Sequence, residues 1–315
     1  MTIIVGLLMA FHSLWALDYT NHIFDGHGTK TDLNYLVSRV KAGDVILVGE
    51  QHGFYPHHQT QYDVVKNLQQ AGFSVNVGME HVPYTLQQEL SDYVKGSMSE
   101  EDFLKQMNWR QSKYSSCLEY TENKGYEDLF VALPFDCYLP TMKLSETFNG
   151  GMVRAINLPR AITGKVSGQG IDSLTPEEKA YLPPNYEWGS ESYYQRFREV
   201  ILSFGGSHGK ITEEMITNMF WAQSLWDDSM SWKSLDYLNS LPQHNNSVMV
   251  VIVGNFHAAY GDGLAARFKA RGAKNVHIVS QTFVENATEA QINELLNDDI
   301  QEGSSGDLIV ITNLQ

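Results

Sequence analysis

Three segments of this 315-residue chain share one pattern, and that pattern constrains the fold more than any other feature. Asp44–Val48 (DVILV) runs into Gly49-Glu50-Gln51-His52. Ser74–Val77 (SVNV) runs into Gly78-Met79-Glu80-His81, and Val248–Val253 (VMVVIV) into Gly254-Asn255-Phe256-His257. Each is a short β-rich run that stops at glycine and then presents polar side chains. Continuous Val/Ile runs suit strands buried on both faces, as in parallel sheets. Helical stretches follow, Pro56 to Ala71, Pro83 to Lys95 and Gly263 to Arg271, each closing at a glycine as helix C-termini often do. Val153–Asn157, Asn275–Ser280 and Asp307–Thr312 read as further strands. The alternation predicts an α/β fold, a mostly parallel central sheet flanked by helices.

The middle of the chain is helical. Ser99–Met107 opens with a capping signature, and Thr175-Pro176-Glu177-Glu178 starts a short helix. Ser190 to Phe204 and Thr212 to Leu238 form two longer ones around the glycine-rich Gly205–Gly209. Residues 170–240 therefore read as a helical insertion or lid over the mouth of a cleft, with Gly205–Gly209 as its hinge. The insertion belongs to a single α/β domain spanning 17–315. Residues 1–16, with the apolar run Ile3–Phe11, read as an export signal, or otherwise as a buried N-terminal strand or helix. The run is shorter than the roughly 20 residues a membrane span needs. Export places the protein in the periplasm or at a membrane, where Cys117 and Cys137 can oxidise together. Two cysteines exclude a disulfide-rich scaffold, a zinc ribbon and a Cys-ligated iron–sulfur cluster. A net charge of −15 argues against a nucleic-acid partner.

In an open parallel sheet, ligands bind beyond the carboxyl ends of the strands. Glu50, His52, Glu80, His81 and His257 emerge there. Imidazoles and carboxylates converging on one cleft can hold a divalent metal or exchange protons near neutral pH. The alternative is that they cap the turns and helices that follow, and for His81 a structural hydrogen bond is the leading reading. Arg160, behind Pro159, suits a carboxylate or propionate through its fork of donors, or a structural salt bridge. His57 and His58 are adjacent at a helix start, so at most one serves a ligand, and a solvated or capping role is favoured. His208 sits in the glycine-rich connector. Gln223 and Asp227 lie one turn apart and can face the cleft.

These segments, taken in order, resemble the ChaN-like haem-binding uptake proteins of the Tiki, TraB and erythromycin-esterase superfamily. The carrying residues are Asp44 to His52 with His57-His58, Gly78-Met79-Glu80, and Asn157-Leu158-Pro159-Arg160. Ala222 to Met230 and Gly254-Asn255-Phe256-His257 with Tyr260-Gly261 complete them. The resemblance implies an α/β fold, export and a role in haem or iron acquisition. It implies haem iron held by tyrosine at a homodimer interface, basic groups on the propionates, and an outer-membrane uptake receptor as partner. Tyr260, Arg160 and His58 are the haem-binding candidates. The wider superfamily includes metal-dependent hydrolases. By motif match the metal ligands would then be His52, His257 and Glu80, with Glu50, Glu80 and Arg160 as catalytic groups. Two departures stand out: no cysteine follows the signal segment, and bulky Phe256 occupies a position where small residues are common.

Overall fold

The computed structural model describes residues 18–123, 133–204, 211–242 and 246–315. Residues 1–16, expected to be an export signal, and Gly205–Gly209 with His208, expected to be a hinge, lie outside these residues. The three glycine-terminated runs form the middle of a seven-stranded sheet. Its strands are β1 (Tyr19–Asp25), β2 (Val45–Glu50), β3 (Ser74–Pro83), β4 (Val153–Asn157), β5 (Ser247–Gly254), β6 (Val276–Glu285) and β7 (Leu308–Leu314). Their spatial order is β1-β7-β6-β2-β5-β3-β4, with β1 antiparallel to β7 and the other pairings parallel. Every residue of β2, β3 and β5 is buried, which is why β2 and β5 carry unbroken apolar runs.

The helices used below are α1 (Tyr55–Gln70), α2 (Gln87–Val94), α3 (Arg160–Gln169), α4 (Glu191–Phe204), α5 (Glu213–Ser240) and α6 (Leu264–Ala270). Side chains alternate across the sheet. Ile46 and Val48 join Val64, Val65 and Leu68 of α1 in one apolar layer. Val45 and Leu47 join Phe268 of α6 and Met230 and Leu235 of α5 in the other. The chain leaves β2 through α1 towards β3, and leaves β5 through α6 towards β6, in the opposite direction. β2 and β5 are neighbours. A crevice must therefore open between their carboxyl ends, the switch point of the sheet.

Two elements differ from the sequence-based expectation. β3 does not stop at Gly78 but runs on to Pro83, with an irregular register against β4 between Met79 and Pro83. Glu80 and His81 are thus strand residues with opposite orientations. The long helix α5 is also no loosely attached flap, because its second half is built into the core layer against β5. A disulfide joins Cys117 to Cys137, closing a separation of 20 residues. At the outer edge of the sheet the Gln87 amide imitates a missing strand. Its Nε2 donates to Val153 O at 3.1 Å and its Oε1 accepts from the Ala155 N–H at 2.9 Å.

Candidate functional site

A cavity of about 1150 Å³ lies at the carboxyl ends of β2, β3 and β5. Glu50, His52, Glu80, His257 and Arg160 all line it. Its walls are apolar and aromatic, with Trp109, Phe197, Met219, Trp226 and Phe256. Phe197 and Met219 come from α4 and α5, so the helical segment does form one wall of the mouth. Phe256 is held by Tyr193, whose ring stacks 5.4 Å away, and by the Arg196 guanidinium at 4.8 Å.

Two carboxylate–imidazole pairs occupy the floor. His52 Nδ1 donates to Glu50 Oε1 at 2.7 Å, and His257 Nδ1 donates to Asp227 Oδ1 at 2.6 Å. Glu80 stands between them. Its Oε2 accepts from the Gly254 N–H at 2.5 Å, and its Oε1 lies 3.6 Å from His257 Nε2. A Cβ on residue 254 would sit 3.0 Å from His52 Nε2 and 3.6 Å from Glu80 Oε2, so glycine leaves room where these groups meet. A carboxylate behind the far nitrogen is how proteins orient metal-binding histidines. Gln223 Nε2 donates to the Tyr193 hydroxyl at 2.9 Å and lies 3.0 Å from His257 Nδ1. Asp227 takes the Nδ1 proton of this histidine, and of the two residues expected to face the cleft only Gln223 lines it.

The electrostatics follow from this arrangement. Burial alone would push the Glu50 carboxyl up. The imidazoles of His58 and His52 reverse that and hold it below the ordinary carboxylate range. Burial likewise opposes ionisation of Glu80, and the charges of His257 and His52 outweigh it. Enclosure works against a charged His52, but the bond to Glu50 and the charge of Glu80 lift its pKa to about 9. Half of that side chain, 52%, is open to the cleft. His257 is raised too, because Asp227 and Glu80 overcome its burial. His81 goes the other way, down to about 4, because burial dominates.

Glu50 sits in a crowded shell. The Tyr138 hydroxyl donates to its Oε1 at 2.5 Å, and the Gln61 amide donates to Oε2. Three imidazoles ring it, those of His52 at 2.7 Å, His81 at 3.7 Å and His58 at 3.8 Å. Tyr138 and Gln61 carried no sequence signal. Tyr138 lies 88 residues from Glu50 and reaches it from a short 3-10 turn after Pro134.

Several expected positions need correction. His57 and His58 are both buried and neither is solvated. His57 Nδ1 accepts from the Gln51 N–H at 3.0 Å, a capping role, while His58 packs edge-on against Tyr138 behind Glu50, out of the cleft. Tyr260 is not among the residues lining the cavity. The helix Asn255–Ala258 ends one residue after His257, and Tyr260 itself has φ +64°, so helical spacing does not carry over to it. Its hydroxyl donates to Glu302 at 3.1 Å. Arg160 is exposed at the rim, 5.1 Å from the Trp109 ring centroid, with no carboxylate paired to it among the described residues.

The family model for haem-binding uptake proteins of the Tiki superfamily, ChaN, matches residues 36–268. The chain belongs to this family. Among solved structures, the cofacial haem complex of ChaN from Campylobacter jejuni superposes with a TM-score of 0.58 at 15% identity, covering 93% of this chain and 96% of that one. The type III effector HopBA1 gives 0.39 at 13% identity, covering 90% and 94%, and a succinoglycan biosynthesis protein gives 0.41 at 11%, covering 89% and 90%. No curated protein sequence matches. At 15% identity the likeness to ChaN establishes the fold alone.

Proposed function

We propose that the cleft binds haem, and that the protein handles haem or iron at the cell envelope. The observation that carries this reading is the cavity of about 1150 Å³ with aromatic walls, an imidazole half-exposed at its floor and arginines on its wall. Haem is flat, apolar in its middle and anionic at its propionates, and needs such walls, a donor to iron and cations. Trp109, Trp226 and Phe256 supply the first, His52 the second, Arg110 and Arg160 the third. His52 replaces Tyr260 as the axial candidate, since no tyrosine lines the cavity among the described residues. Bound haem would supply redox-active iron; His52 would be its donor and Arg160 would pair with its propionates. The family match and the haem-bound ChaN from Campylobacter jejuni support this reading. The N-terminal apolar run and the Cys117–Cys137 disulfide support export. A second subunit and an outer-membrane receptor remain the expected partners.

The test is a haem titration followed in the Soret band. His52→Ala should shift the band and weaken binding, and Arg160→Ala should weaken binding without shifting it. A second reading, a metal-dependent hydrolase, is favoured by the two carboxylate-backed imidazoles facing Glu80, the ligand set His52, His257 and Glu80. If the wild-type protein ignores haem yet retains a divalent ion that is lost with His257→Ala, and cleaves ester or amide bonds, that reading replaces the first.

A further inference from the structure

We propose a second, inner cation site beneath the cleft floor, in which Glu50, His52 and His81 together bind one divalent transition-metal ion. It is distinct from the set His52, Glu80 and His257. The two share only the His52 ring, whose Nε2 faces Gly254 and Glu80 while its Nδ1 faces the interior. The inference does not depend on haem binding.

The donor triangle has the right size. Glu50 Oε1 to His52 Nδ1 is 2.7 Å, His52 Nδ1 to His81 Nε2 is 3.4 Å, and His81 Nε2 to Glu50 Oε1 is 3.7 Å. Donors about 2.0–2.1 Å from a tetrahedral ion stand roughly 3.3 Å apart. No fourth protein group is needed, because Glu50, His52 and His81 all border the cavity, from which water can reach the ion. Two imidazoles and a carboxylate suit zinc, cobalt(II) or iron(II), not calcium or magnesium.

The surroundings fit a bound cation better than a simple hydrogen-bond network. Among the described residues no Lys or Arg pairs with the fully buried Glu50 carboxylate. His58, 3% exposed, points Nδ1 at Glu50 Oε2 from 3.8 Å, and neither of its ring nitrogens completes a hydrogen bond. Gln61 holds the carboxylate from behind through Oε2, and the Tyr138 hydroxyl, on Oε1 and 3.0 Å from His81 Nε2, borders the triangle itself. Binding exchanges one proton for the ion: the proton on His52 Nδ1 leaves to solvent, and neutral His81 carries its single proton on Nδ1, so that its Nε2 is free to ligate.

The full chain should be titrated with cobalt(II) alone and followed by its visible absorption bands. The wild type should bind, with His257→Asn retaining the ion and His81→Asn weakening binding at least about tenfold. An unchanged titration in His81→Asn, or loss of all binding in His257→Asn, overturns the proposal. If His81→Asn does not fold, crystals of the wild type soaked in zinc decide the matter by anomalous scattering. A peak within the Glu50–His52–His81 triangle supports the site. A peak confined to the Glu80–His257 side, or none, overturns it.

Discussion

β2 carries a buried carboxylate at each end, Asp44 just before it and Glu50 at its close, and each is matched with histidine. At the amino end Asp44 is fully served by neighbours. Asn275 Nδ2 donates at 2.8 Å, the Lys41 N–H donates at 2.8 Å, and His277 Nε2 lies at 3.0 Å. It does not line the cavity at the carboxyl ends. At the carboxyl end Glu50 has more imidazoles than it can bond, His58 and His81 keep ring nitrogens without a partner, and the group borders a large void. A histidine–carboxylate pair therefore marks nothing by itself. Surplus donors, unmet polar atoms and empty space together mark the site.

The comparison can be broken by substitution. Asp44→Ala should cost about 3 kcal/mol, because it strands buried donors, while haem and cobalt(II) binding by the folded protein stay unchanged. Loss of binding there would erase the contrast between the two ends. Removing the disulfide as Cys117→Ser/Cys137→Ser should also cost about 3 kcal/mol from the freed loop, read as a lower urea midpoint. Because Tyr138 follows Cys137 directly, this variant should weaken cobalt(II) binding as well. Glu50→Gln is expected to cost about 3 kcal/mol, because the amide nitrogen meets groups that donate to Glu50 and His52 loses the carboxylate it pairs with. It should also lower cobalt(II) affinity at least about tenfold.

A further effect concerns pH. Burial dominates at His57 and holds its pKa down at about 3, against an ordinary 6.5. The unfolded chain takes up this proton first as pH falls. Its contribution to stability is therefore complete above about pH 6.5 and is lost as pH drops towards 3. His57→Gln keeps an acceptor for the Gln51 N–H but cannot titrate. Thermal melts from pH 7 to pH 4 should show a shallower fall for the variant than for the wild type.

What could be read in advance follows from how far each signal reaches along the chain. The glycine-ended runs disclosed the central strands and brought Glu50, His52, Glu80 and His257 to one end, because strand and turn are local properties. The pairing of Asp44 with His277 was invisible, since it needs β2 and β6 side by side, 233 residues apart in sequence. Tyr138 and Gln61 were hidden for the same reason. Tyr260 was misplaced because one left-handed residue ends the periodicity that pointed to it. Gly78 was read as a strand end, yet Ile156 and Ser234 pack where its side chain would be, so it marks close approach inside β3.

The amide of Gln87 has a consequence for self-association. An outer strand with bare peptide groups is a template on which another chain can crystallise as one more strand. Here that template is already occupied by a side chain from the same molecule. A second copy could add to β4 only by evicting Gln87 and surrendering both of its bonds to the strand. The chain is thereby guarded against sheet-to-sheet polymerisation at this border.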